Sequence, residues 1–560
     1  MTHSLDLALQ CRAQLLAPGG PFELVEREVA GYTQRSYRNA FPTLPALIEA
    51  SRGHGDKPFI VYRDAHWSFT RFFADVDAVA ARLHGLGIAK GERVAIAMRN
   101  RPEWAVAFAA AALIGAVPVP LNSFGLAEEL LAALADVSPR VLFCDPERHA
   151  RLAGVLPPSL EVVVTDDGAA GAHAYRELAA QPAPQRPEVT VTPDDAALIL
   201  FTSGATSRAK GVLSTQRAVC QALFNIDFIA AVSAMSSPEA VQAIMARGLP
   251  PTTLTAVPLF HVSGLHAQLL NALRNGRRLV FTHRWDPAAA LELIAREKVT
   301  QFNGAPSMVM QLLAEPGFND PAITASLGGL GFGGAGLPQR AIDEVLRSPQ
   351  GQMSGIGFGL TESNGVGAAV SGSVFRYQPK SSGLVSPIID VRIVDPGGTP
   401  LPEGQVGEIW LRGVTVMEGY WNAPEATAAA LQDGWFHTGD VGYVSEEGLL
   451  FIVDRIKDVI NRCGEKIAAA EVESCLLQLP AVREAAVFAM PDEETGEAVA
   501  AAVVVDEGSP LRAEDLRAHV AAHLAAYKVP ERIFVRSLAL PRNPAGKLLK
   551  ADLKREYLPA

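Results

Sequence analysis

Hydrophobic positions along the chain alternate between two periods. Residues 69–86 carry apolar side chains at helical spacing, 93–97 form a short unbroken apolar run, and 103–114 return to a helical pattern. Further short apolar runs at 117–121 and 141–144 read as strands. Strands alternating with helices at this spacing predict parallel sheets with crossover helices. From Val391 onward the texture changes, with short strand-like runs at 391–394, 407–411 and 448–452 broken by glycine and aspartate. That pattern predicts an antiparallel or barrel-like subdomain. After Asp458 come a helix over 470–478, strands over 484–488 and 499–505, a helix over 513–525 and a strand near Ile533. A unit of about a hundred residues is domain-sized. The expected fold class is α/β. A large N-terminal domain of stacked, parallel-rich sheets with helices, including the small β-barrel-like subdomain, covers 1–456, and a small α/β C-terminal domain covers 457–560.

One stretch complicates this picture. From Trp104 to Leu121 no side chain is polar, which is nearly enough to span a bilayer. The stretch is alanine-rich, holds Gly115 and closes on Pro118, Val119, Pro120 and Leu121, so a buried helix running into a buried strand is expected. The first sixteen residues pattern as a short amphipathic helix, without the basic and apolar regions of a signal peptide. At 560 residues, 49% hydrophobic and 19% charged, the chain has material for a sizeable core, and wholesale disorder is excluded. The formal net charge is −11 and no block is rich in lysine or arginine, so neither a nucleic acid nor an anionic membrane is an expected partner. Five scattered cysteines (Cys11, Cys144, Cys220, Cys463, Cys475) form no CxxC pair and show no metal-ligand spacing, which fits a reducing cytoplasm.

The densest chemistry lies at 198–212. An apolar strand runs into a loop holding Thr202, Ser203, Gly204, Ala205, Thr206, Ser207, Arg208, Ala209, Lys210 and Gly211. Small residues let backbone N–H groups approach an anion, hydroxyls add donors and a lysine neutralises charge, so the loop suits a polyphosphate. It is not a Walker A loop, because Ala209 and Gly211 stand where that motif needs glycine and then serine or threonine. Taken alone, an ordinary polar turn after a buried strand remains an alternative.

The loop resembles the phosphate-binding signature of the adenylate-forming (AMP-binding) superfamily, which includes acyl-CoA synthetases, coumarate–CoA ligases, luciferases and peptide-synthetase adenylation domains. Thr202, Ser203, Gly204, Thr206, Lys210 and Gly211 match it, while Ala205, Ser207 and Ala209 depart from it. Other motifs of the family follow in order. The segment 355–362, with Gly357, Phe358, Thr361 and Glu362, resembles the one in which an aromatic stacks on adenine and the glutamate ligates Mg²⁺. A carboxylate beside a phosphate site also makes independent sense with a hard cation between them. The resemblance implies Mg²⁺ ligands at Glu362 and Thr202. Gly333, Gly334, Ala335 and Gly336 resemble the loop at the adenine edge, and 434–440 matches the ribose motif with Asp440 as the ribose carboxylate. Arg455, Lys457 and Gly464 fall in segments that resemble the family's hinge and the loop after it. Finally, 541–547 resembles the C-terminal turn that presents the catalytic Lys547.

This inventory, with no G-x-S-x-G elbow, fits attack by a substrate carboxylate on the α-phosphate of ATP, with pyrophosphate leaving. The resemblance then implies rotation of a mobile C-terminal domain about Lys457, and transfer of the acyl group to coenzyme A. Lys547, Lys210, Glu362 and His261 are the candidate catalytic residues, and ATP, Mg²⁺ and coenzyme A the implied cofactors. His261 stands where amino-acid-activating members carry an aspartate, so an unaminated acid is favoured; a packed wall role for His261 stays open. Only thirteen residues follow Lys547, so no carrier domain is expected. A fatty acid is preferred over an aromatic acid because the segment 541–550 most resembles fatty acyl-CoA synthetases. The open alternatives are an aromatic acid–CoA ligase of the same mechanism and a catalytically silent nucleotide-binding homologue. A monomer or homodimer without integral membrane contact is expected.

Overall fold

Pro102–Leu113 is a helix and Val117–Pro120 a strand in the computed structural model, and every residue from 104 to 121 is buried. The apolar stretch therefore lies inside the protein. The structure describes residues 2–558 except 167–168, 170, 184, 203–208, 334–338, 349–351, 464, 493 and 545. Trp104 is fully buried and stacks on Phe108, with centroids 5.6 Å apart. Trp104→Ala should cost about 3–5 kcal/mol of stability, the usual range for emptying a buried aromatic site, measured by urea or thermal unfolding.

Among the described residues there are five sheets. The strand at Arg93–Ala97 lies in a five-stranded parallel sheet between Val117–Pro120 and Val141–Cys144, as the alternating pattern predicts. A second, fourteen-stranded sheet has a parallel half running through Pro58–Tyr62, Arg278–Phe281, Thr252–Thr255, Gln301–Gly304, Gly329–Gly333 and Gly355–Phe358. Its other half is antiparallel. There Ala368–Ser371, Gly383–Val385, Leu449–Arg455, Trp435–Val444, Gly407–Gly413 and Ile389–Val394 follow in spatial order. The short strands after Val391 are thus antiparallel as expected, and they extend the large sheet through the pairing of Gly383–Val385 with Leu449–Arg455.

The C-terminal segment builds its own sheet around the long pair Val482–Asp492 and Gly496–Val505, with Arg532–Arg536 parallel to the latter. Two helices, Ala469–Leu476 and Ala513–His523, share its core through Val472, Leu476, Leu516 and Val520. The Gln216–Met235 helix is long and apolar enough by composition to cross a membrane. Here it packs in the N-terminal core, where its Asn225 accepts a hydrogen bond from the Tyr37 hydroxyl at 2.8 Å.

Candidate active site

Strands Ala196–Phe201 and Gly211–Thr215 pair antiparallel and carry the hydroxyl-rich loop between them. Thr202 and Lys210 close its base. The Thr202 amide donates to the Lys210 carbonyl at 2.9 Å, and the Lys210 amide donates to Thr202 Oγ1 at 3.3 Å. Ser203, Gly204 and Thr206 lie outside the described residues, as do Gly334, Ala335 and Gly464. The short strand Gly419–Tyr420 pairs with Gly211–Thr215 and brings in a residue that motif reading missed. Lys210 Nζ sits 4.9 Å from the centroid of the Tyr420 ring, and the Tyr420 hydroxyl donates to Glu362 Oε1 at 2.9 Å. Tyr420 and Glu362 are 58 residues apart, so no local signal marks the pair.

Glu362 lies in the one-turn helix Thr361–Ser363, just past the strand Gly355–Phe358 that carries Gly357 and Phe358. Phe358 packs against the core of the antiparallel half beside Leu360. Burial pushes the Glu362 carboxyl up, against the Tyr420 hydrogen bond and the positive field of Arg455. A carboxylate in that balance gains most from a nearby hard cation.

Behind this turn, Asn364 donates to the Thr415 carbonyl at 2.9 Å, and its Oδ1 lies 3.1 Å from His266 Nε2. His266 and His261 are both pushed down to about 4 by burial, so both imidazoles are neutral at pH 7. The His261 ring lies against Phe260, with centroids 4.4 Å apart. Nearby, Gly331 has no room for a side chain, since a Cβ there would stand 2.1 Å from Asn303 Oδ1.

Asp440 is 4% exposed on the strand Trp435–Val444, and the register sets it opposite Arg455 of Leu449–Arg455. Its Oδ1 lies 3.0 Å from Arg455 Nε. Burial raises the Asp440 carboxyl, and the fields of Arg455, Lys547 and Lys457 oppose it in that order. The Lys547 charge therefore reaches Asp440 despite its distance along the chain. It sits in a tight turn where the Asn543 amide donates to the Lys547 carbonyl at 2.8 Å and the Lys547 amide donates to Asn543 Oδ1 at 2.9 Å. Gly546 in that turn has φ +82°, and a Cβ on it would meet Ala305 Cβ at 2.7 Å and Ser307 Oγ at 3.1 Å. Only glycine allows both the left-handed backbone and this close approach to the N-terminal region. Burial, then Arg455, pushes the Lys547 ammonium down to about 8, with Asp440 acting the other way. Lys457 is exposed in the one-turn helix Ile456–Asp458 that follows Arg455.

Residues 47–421 match the AMP-binding enzyme family and residues 471–547 match the AMP-binding enzyme C-terminal domain. The chain belongs to the AMP-binding enzyme family. It is an AMP-forming acid–thiol ligase. A feruloyl-CoA synthase of Amycolatopsis sp. is 34% identical over 493 residues, covering 86% of this chain and 92% of that protein. The long-chain-fatty-acid–CoA ligase FadD13 of Mycobacterium tuberculosis is 32% identical over 536 residues, covering 94% and 98%. In the ATP-bound structure of MatB from Rhodopseudomonas palustris, 26% identical, the fold agrees with a TM-score of 0.80 over 92% of this chain and 99% of that one. The structure links Lys210 to Glu362 through Tyr420, and Asp440 to Arg455 and to the charge of Lys547.

Proposed function

We propose that this ligase joins a carboxylic acid to AMP from ATP, releasing pyrophosphate, and then passes the acyl group to coenzyme A to release acyl-CoA and AMP. The observation that carries this reading is the Lys547 turn seated against Ala305 and Ser307, within the field of Asp440 and Arg455. An ammonium placed there stabilises negative charge that builds between carboxylate and α-phosphate oxygens only as they react. Lys210 and the hydroxyl loop with Ser203, Gly204 and Thr206 hold the triphosphate. Asp440 takes the ribose hydroxyls, Phe358 and the Gly334–Ala335 segment hold adenine, and Arg455 contacts ribose or phosphate. The donor set fits Mg²⁺, since Glu362 and Thr202 both present oxygen, the ligand a small hard cation selects. When bound, the ion would screen the charge of the leaving pyrophosphate.

The C-terminal domain, 457–560, then turns about Lys457, withdraws Lys547 and presents the Gly464 segment for attack by the thiol. We place the enzyme in the cytoplasm as a monomer or homodimer.

The acid is proposed to be a fatty acid. The segment after His261 buries Leu265, Leu269 and Leu270, and Met308, Val309 and Leu312 are buried on the Pro306–Ala314 helix. The similarity to a long-chain ligase over 98% of that protein supports the same choice. Two observations favour a ring-bearing acid instead: the feruloyl-CoA synthase shares more identity with this chain than the long-chain ligase does, and His261 Nε2 and His266 Nδ1 are buried without a hydrogen-bond partner, which a polar ring substituent would satisfy. Pyrophosphate release on a panel of alkanoates, benzoates and cinnamates decides the matter. Alkanoates of medium or long chain are expected to turn over fastest, and faster turnover of any aromatic acid overturns the preference.

A further inference from the structure

We propose that Cys475, His519 and His523 form a binding site for a thiophilic transition metal of the zinc class, on the C-terminal region and apart from the ligase pocket. Cys475 ends one turn of the Ala469–Leu476 helix, while His519 and His523 stand one turn apart on a single face of the Ala513–His523 helix. Packing of the two helices brings one ligand atom from each of the three side chains within 4.8 Å of the others. Among the described residues this is the one group of three or more such side chains gathered this closely. The two imidazoles lie against each other, with centroids 4.3 Å apart.

Both imidazoles also make contacts to backbone carbonyls. His519 Nε2 lies 3.1 Å from the Cys475 carbonyl, and His523 Nδ1 lies 2.8 Å from the His519 carbonyl. In the tautomers that donate these bonds, the other nitrogen of each ring keeps its lone pair for a ligand. Metal-binding histidines are oriented by this kind of backbone contact. One sulfur and two nitrogens suit Zn²⁺ or Cu⁺ and are wrong for Mg²⁺, so the site does not compete with the cation at Glu362. Ligand atoms around a tetrahedral zinc stand about 3.5 Å apart, so the three must draw slightly closer. The exposed His523 is free to make that adjustment.

Burial and the field of Glu471 keep the Cys475 thiol protonated in the metal-free protein. Binding therefore breaks the S–H bond, forms the sulfur–metal bond and releases one proton to solvent, with water completing the coordination. Glu471, one turn before Cys475, is already engaged by Lys528 at 2.7 Å. The bound ion would tie the two helices together.

The test is titration of the full chain, stripped with a chelator, with Co²⁺ followed by ultraviolet and visible absorbance. One equivalent should bind with a thiolate-to-cobalt charge-transfer band, displaced by Zn²⁺ and unaffected by excess Mg²⁺. Cys475→Ser should lose the band, and Cys463→Ser, which changes the exposed cysteine, should keep it. His523→Gln should weaken binding at least about tenfold. His523 is exposed, so this variant keeps its fold and carries the test if Cys475→Ser does not. Absence of the band in the parent protein, its survival in Cys475→Ser, or unchanged affinity in His523→Gln overturns the site and leaves the ligase reading untouched.

Discussion

Lys547→Ala should abolish acyl-adenylate formation while leaving conversion of supplied acyl-adenylate to thioester within about twofold of the parent enzyme. The ammonium offers nothing to the separate substrates and everything to the charge that gathers as carboxylate and α-phosphate meet. Its removal should therefore cost on the order of 10²–10³ in the first half-reaction, the scale for losing one preorganised electrostatic group. Position supports this role, since Gly546 lets the turn press against Ala305 and Ser307 while the Lys547 charge reaches Asp440 and Arg455.

The same residue predicts a pH profile. Burial lowers its ammonium to about 8, so the charged form that the first half-reaction needs is lost as pH rises through about 8. Adenylate formation should fall on the alkaline side of that value. Thioester formation from supplied adenylate should not follow the same curve. The two half-reactions are measured separately, by pyrophosphate release and by thiol consumption. Equal impairment of both in Lys547→Ala would mean a single static arrangement, without domain alternation.

What the sequence makes legible is whatever is carried locally. The alternation of short apolar runs with helical patterns is local, so the parallel sheet around Arg93–Ala97 and the two C-terminal helices stand close to where the pattern puts them. The loop before Lys210, the Glu362 turn and Asp440 are legible because each lies in a short stretch of distinctive residues. Pairings between distant segments are not. The strands after Val391 read as antiparallel, but their union with the large sheet depends on Gly383–Val385 meeting Leu449–Arg455.

Tyr420 reaches Glu362 only because a two-residue strand pairs with Gly211–Thr215. The Gln216–Met235 helix leaves no such local mark, since a helix apolar around most of its circumference lacks the one-sided pattern of a surface helix. Cys475 and His519 are 44 residues apart on different helices, so linear ligand spacing has no way to join them. For His261, where the sequence leaves a catalytic and a wall role open, the structure adds that burial lowers the imidazole to about 4 and that its ring lies against Phe260.

Glu362→Gln should lower adenylate formation on the order of 10²-fold at ordinary Mg²⁺ concentration. The substitution keeps shape and retains an oxygen for the Tyr420 hydroxyl, which now sits 2.9 Å from Oε1. What it removes is one full negative charge. In this pocket that charge is already opposed by burial, which pushes the carboxyl up. In the proposed reaction, Mg²⁺ bound to the triphosphate would supply the opposing positive charge. In the proposed reaction Lys210, 4.9 Å from the Tyr420 ring, meets the same phosphates as a single point charge and should not substitute for the ion. The defect should therefore be partly relieved by raising Mg²⁺, and the apparent Mg²⁺ affinity should fall while the affinity for the acid stays near that of the parent. Initial rates of pyrophosphate release across a Mg²⁺ series, at saturating acid, give both quantities. A variant with near-normal rate and an unchanged Mg²⁺ dependence would remove Glu362 from the metal site and leave its bond to Tyr420 as a purely structural link between the Thr361–Ser363 turn and the strand Gly419–Tyr420.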